Sequence, residues 1–190
     1  MTDETTRPAI TGVDALPGDP GAEALIARMI RVDQAGEYGA VRIYEGQLAV
    51  LAGTKAGRAI EEMAAREREH LETFERMMVE RRVRPTALSP LWHMAGFALG
   101  AATALMGPRA AMACTVAVEE VIGDHYAGQA EKLGDDEADL RETILEFRDD
   151  ELAHLETAVE HEARAAPGYE PLTAAVKAGS RLAIWLSTRL

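Results

Sequence analysis

Glu67 and His70 stand three positions apart, and the same spacing returns at Glu151 and His154. On an α-helix, positions i and i+3 share one face, so each pair can point at a single cation. A further glutamate precedes each pair on a helix-like segment, Glu37 before the first and Glu119 before the second. The intervals nearly repeat, because Glu37 to Glu67 and Glu119 to Glu151 are almost the same length. The step from Glu37 to Glu119 likewise nearly equals the step from Glu67 to Glu151. In a chain this rich in glutamate, both pairs could also lie on solvated faces of acidic helices. The matched spacing, at a period that fits a helical hairpin, favours a shared metal site.

Two helix hairpins, each giving one Glu and one Glu-x-x-His, form the inward-facing ligand set of a ferritin-like dimetal bundle. The rest of the chain agrees with an all-α fold. Aromatic residues make up only 5%, and alternating Val/Ile/Thr runs are missing. The single Cys114 excludes an internal disulfide and fits a reducing compartment. A formal charge of −12 argues against a nucleic-acid partner.

Residues 1–21 are rich in Pro and Gly and read as a flexible tail, ahead of one domain over 22–190. The tail has no apolar signal-peptide core, and Asp3 and Glu4 do not suit a mitochondrial transit peptide. Helices are expected over about 22–52 and 57–82, followed by a linker at 83–90 that holds Pro85 and Pro90. In the first of these, Asp33, Glu37, Val41 and Tyr44 fall on one stripe. A carboxylate buried in such a stripe needs a partner.

The stretch from Leu91 to Gly107 carries no formal charge. Its length sits at the lower limit for a membrane span, which wants about 20 apolar residues. A buried core helix and a helix dipping into a membrane interface both fit it better. Its Gly96, Gly100 and Ala104 form a small-residue stripe that permits close helix contact. Pro108 suits the first turn of the next helix, which carries Glu119, His125 and Tyr126 and stops before Gly134. Asp135 to Glu137 opens a helix running through Glu151 and His154 to about Ala165. A final helix, 172–190, places Leu182, Trp185 and Leu186 on one face between Arg181 and Arg189. It docks on the bundle or meets a membrane interface.

Arg31-Val-Asp-Gln-Ala-Gly-Glu-Tyr-Gly-Ala40 and Arg42-Ile-Tyr-Glu-Gly-Gln47 resemble the opening motif of the demethoxyubiquinone hydroxylases of ubiquinone biosynthesis. The resemblance continues through Glu69-His70-Leu71, residues 113–120, His125-Tyr126, residues 147–151 and residues 181–187. It implies a ferritin-like four-helix bundle with additional apolar and C-terminal helices. It also implies a diiron centre of two Fe ions held by Glu37, Glu67, His70, Glu119, Glu151 and His154, with Glu67 and Glu151 bridging. The implied reaction is O2-dependent hydroxylation of a polyprenyl quinone ring, with an external reductant such as NADH.

The resemblance implies a peripheral membrane protein, here expected on the cytoplasmic face of a bacterial cell membrane. A homo-oligomer and an accessory lipid-binding protein stay open as partners. His125 and Tyr126 match a pair that the family links to electron transfer. For Tyr126, a plain core tyrosine with its hydroxyl on a carboxylate is the alternative. Gln34 stands where many members have His, and Asp124 where some have a second His before His125. Asp150 is a candidate acceptor for the ring N–H of a ligand His such as His70. A ferritin-like ferroxidase and a lipid-binding module with a vestigial site are the competing readings.

Overall fold

The structure, a computed structural model, describes residues 21–190, so all of the expected tail except Gly21 lies outside the described residues. Six α-helices follow one another: α1 (Ala22–Leu51), α2 (Lys55–Glu80), α3 (Ser89–Leu105), α4 (Pro108–Ala130), α5 (Ala138–Glu160) and α6 (Tyr169–Ser187). A single 3-10 turn precedes each of the last two, at Asp135–Glu137 and Ala163–Ala165. The all-α expectation holds.

Local chemistry sets the helix ends. The Thr54 hydroxyl accepts the Gly57 N–H at 2.9 Å and starts α2, satisfying one of the free donors of the first turn. Pro108 opens α4, where its missing N–H leaves no bond unmade. Gly107, with φ +112°, makes the reversal from α3, a backbone region that glycine enters without steric cost. The fifth helix ends at Glu160, short of the expected stop near Ala165, because the chain turns left-handed at Glu162 with φ +62°.

The register of the bundle follows from two separate apolar clusters. One gathers Ile26 and Ile30 of α1, Phe74 and Met78 of α2, Ile122 and Tyr126 of α4, and Ile144 and Phe147 of α5. The other gathers Tyr44 and Leu51, Ile60 and Met63, Met112 and Val116, and Ala158 from the same four helices. Along every one of the four helices, the Glu or Glu-x-x-His stands between these contributions to the two clusters. The ligand-type residues therefore form one polar layer capped by apolar packing on both sides. This order also makes α1–α2 and α4–α5 antiparallel hairpins, with α2 and α4 running the same way. Successive bundle helices that run the same way need a crossover between them, and α3 is that crossover.

α3 runs parallel to α1 at unusually close range. A methyl group on Gly100 would fall inside the backbone carbonyl of Ile43, and one on Gly46 inside that of Phe97. The small-residue stripe of α3 is thus a real contact face, with Thr103 and Ala104 also buried. The opposite face is open, and Leu91, Met94 and Leu105 project from it. α3 is neither a core helix nor a span: among the described residues no helix is long and apolar enough to cross a membrane. α6 packs chiefly on α4, held there by the Lys177–Glu120 ion pair at 2.7 Å. Its other end meets α3, where Trp92 Nε1 donates to Ser187 Oγ at 3.0 Å.

Candidate metal centre

All six ligand-type residues converge in the buried polar layer. Glu37, Glu67, His70 and Glu151 form one group, and Glu67, Glu119, Glu151 and His154 form a second. Within each group, one potential ligand atom per residue lies within 4.8 Å of every other. Glu67 and Glu151 belong to both groups, the position of shared ligands. Both imidazoles turn Nδ1 inward. His70 Nδ1 lies 3.4 Å from Glu151 Oε1 and 3.7 Å from Glu37 Oε2, and His154 Nδ1 lies 2.9 Å from Glu67 Oε1.

The orphaned atoms test whether this cluster fits metal. Both carboxylate oxygens of Glu67 and Glu151, one oxygen each of Glu37 and Glu119, and Nδ1 of both histidines are buried without a hydrogen bond. That is four donor atoms for each of two ions. Unbonded buried polar atoms are costly, and so many in one place is the pattern of a site built for cations.

The electrostatics point the same way. Burial, reinforced by the neighbouring carboxylates, pushes Glu67 and Glu119 well above the usual carboxylate range, and burial raises Glu151 as well. Glu37 feels the same burial, but the nearness of His70 and Glu67 outweighs it and lowers its pKa. At His70 burial opposes the charge, yet Glu151 and Glu37 lift the ring to about 10. The His70 proton acts as the cation these carboxylates need. A divalent ion among them would do the same and displace protons.

The outer contacts repeat with the same internal offset as the ligands. Tyr126 of α4 donates its hydroxyl to Glu37 Oε1 on α1, and Tyr44 of α1 donates to Glu119 Oε1 on α4. Gln129 Nε2 donates to Asp33 at 2.7 Å, and Gln47 Nε2 donates to the Ala111 carbonyl at 3.0 Å. The step that carries Glu119 back to Glu37 also carries Tyr126 to Tyr44 and Gln129 to Gln47. That shared offset is the signal in the sequence that marks Tyr44 and Gln47.

Asp33 finds its partners in Gln129 and in His125, whose Nε2 lies 3.2 Å from Asp33 Oδ1. The His125 side chain is 23% exposed while that of Asp33 is 0% exposed, so the pair runs from the surface inward. Asp150 meets His70 Nε2 at 3.0 Å, as the sequence anticipated. Gln34 is buried, and Asp124 is exposed.

An apolar cleft of about 420 Å3 lies between α1, α3, α4 and α6. Gly36 and Val118, neighbours of Glu37 and Glu119, are in its wall, with Ile43, Leu99, Ile122 and Ile184.

The model of the family described as Ubiquinone biosynthesis protein COQ7 matches residues 24–187. A Rhodospirillum rubrum protein named 3-demethoxyubiquinol 3-hydroxylase is similar, at 55% identity over 181 residues, covering 95% of this chain and 85% of that protein. The Dictyostelium discoideum protein named NADPH-dependent 3-demethoxyubiquinone 3-hydroxylase, mitochondrial, is 58% identical over 169 residues, covering 87% and 78%. The Homo sapiens protein of the same name is 50% identical over 173 residues, covering 89% and 80%.

Proposed function

Because the chain belongs to the COQ7 family of ubiquinone biosynthesis proteins, we propose that it hydroxylates the ring of a demethoxyubiquinone or demethoxyubiquinol, using O2 and two iron ions. One observation carries the reading: two groups of buried carboxylate and imidazole donors share Glu67 and Glu151 in the core. Hard oxygen donors with imidazole suit iron or manganese and not soft metals. Glu37 and His70 would hold one ion and Glu119 and His154 the other, with Glu67 and Glu151 placed to serve both. Ferrous iron held there would supply electrons for the reduction of O2.

The protein's own residues do the remaining work. The apolar clusters above and below the polar layer keep bulk water from the reacting centre. The cleft beside Gly36 and Val118 takes the quinone ring, and its wall of aliphatic side chains suits an isoprenoid tail. Tyr126 holds a proton against Glu37, and His125, bonded to Asp33 and partly exposed, has its ring centre 6.3 Å from that of Tyr126. We assign this pair to moving electrons or protons to the site.

Leu91, Met94, Leu105, Leu182 and Trp185 give α3 and α6 exposed apolar side chains, and this face rests on the membrane that holds the substrate. The protein is peripheral, on the cytoplasmic face of a bacterial membrane. The reductant is a reduced nicotinamide nucleotide. NADH is the expectation from the resemblance, and NADPH stands in the names of the Dictyostelium discoideum and Homo sapiens relatives.

The test is turnover of a short-tailed demethoxyquinol under isotopically labelled O2, run with NADH and with NADPH, beside metal analysis. One labelled oxygen in the product and two irons per chain are expected, and Glu151→Ala should lose both together. Label arriving from water, or full activity of Glu151→Ala at normal iron content, would sink the reading. Uptake of many irons without hydroxylation would point to a ferroxidase.

A further inference from the structure

We infer that the two ion positions are unequal, and that Asp150 makes the Glu37–His70 position the tighter of the two. The inference rests on the dimetal reading above. Most of the site is evenly shared: each terminal glutamate accepts one tyrosine hydroxyl, and both bridging carboxylates serve both positions. The histidines are where the halves part.

His70 is held from two sides. Its Nε2 lies 3.0 Å from Asp150 Oδ2, so the ring donates there and leaves Nδ1 as the nitrogen that an ion would take once it displaces the proton. Arg66 Nε stands 3.5 Å from the same Asp150 oxygen and steadies it. The Phe147 ring stacks on the imidazole with centroids 3.9 Å apart. A carboxylate behind a ligand histidine fixes its tautomer and makes the inner nitrogen a better donor.

His154 has no such backing. Among the described residues, none bonds its Nε2, and its side chain is 9% exposed against 1% for His70. The internal repeat explains the difference. The offset that carries Glu67 to Glu151 and His70 to His154 also carries Arg66 to Asp150. The position that offers His70 a carboxylate is therefore a cation in the other half, and that cation also braces Asp150. Removing such an outer carboxylate typically costs about 10–100-fold in metal affinity. Asp150 is a positioning residue.

The experiment is an anaerobic titration of the metal-stripped protein with Co(II), read by visible absorption and chelator competition. Anomalous diffraction from crystals holding one equivalent of Co(II) locates the first ion without any variant. We expect two binding steps at least tenfold apart, with the first ion between Glu37 and His70. Asp150→Asn should weaken the first step about tenfold or more while the second stays put, and Asp150→Glu should recover part of the loss. Equal steps, a first ion beside His154, or an Asp150→Asn protein weakened in both steps alike would overturn the inference and leave the dimetal reading standing. A wild-type protein that binds no ion would overturn both.

Discussion

Tyr126 of α4 donates its hydroxyl to Glu37 of α1, tying the two halves of the bundle together through a candidate ligand. Tyr44 makes the reciprocal bond to Glu119. Burial and the nearby carboxylates push both phenols well above their usual range, so each holds its proton and serves as a donor. The two tyrosines differ in their neighbours: His125 precedes Tyr126 and reaches the surface, while Ile43 precedes Tyr44 and lines the apolar cleft.

Substitution separates the two roles. Tyr126→Phe should lower turnover about 100-fold at normal iron content, the scale of a lost proton-transfer group. Tyr44→Phe removes an equivalent bond and should cost far less turnover. Each variant leaves a buried carboxylate short of a donor, so both should lose about 1–3 kcal/mol of stability. Steady-state rates and denaturant unfolding of the pair measure the contrast; equal turnover losses would remove Tyr126's special standing.

The Cys114 thiol is buried completely, and burial pushes it up to about 12 against a hydrogen bond with Thr103 that lowers it. It stays un-ionised in the folded protein and should resist a disulfide reagent at about pH 8, where an exposed thiol reacts. Denaturant should release one reactive thiol per chain. The linked stability follows in sign: the folded value lies above the unfolded one. The contribution is complete below the unfolded value and declines as pH rises toward about 12. Unfolding midpoints across that range, compared with Cys114→Ala, isolate it.

Gly100→Ala should destabilise the fold by about 1–3 kcal/mol or more, the cost of overpacking against an atom that cannot move aside. The obstacle is the Ile43 carbonyl, part of the α1 backbone. Gly36→Ala is the control, because a methyl group there meets nothing within 4 Å. Urea unfolding of the two variants is the measurement.

Met94 and Leu105 are 72% and 75% exposed on α3, away from the α1 contact. Met94→Asp with Leu105→Asp should reduce co-sedimentation with liposomes and turnover of a long-tailed quinone. Iron content and activity on a short-tailed analogue should persist. Phe97 is a poorer probe, since the Arg42 guanidinium lies 5.1 Å from its ring centre and its backbone abuts Gly46. Equal damage to both substrates would show that this face serves the core.

The chain's order of residues was enough to name the six that converge, because helix geometry turns the Glu-x-x-His spacing into a shared face and the repeat doubles it. The all-α class and the close-contact stripe of α3 were legible for the same reason: both are periodic along a single helix. Tyr44 was legible too, through the offset from Tyr126. What tertiary structure decided lies across helices. Only the crossing of α1 and α4 brings Tyr126 to Glu37 and His125 to Asp33, pairs far apart along the chain. Only the docking of α3 on α1 buries one side of an uncharged segment and leaves the other open, which hydropathy summed along the chain cannot separate. And only the facing of α2 and α5 sets Asp150 behind His70 and leaves His154 Nε2 without a carboxylate partner. Contacts between distant segments depend on helix register and rotation, and those are set by packing of the two apolar clusters and not by any local run of residues.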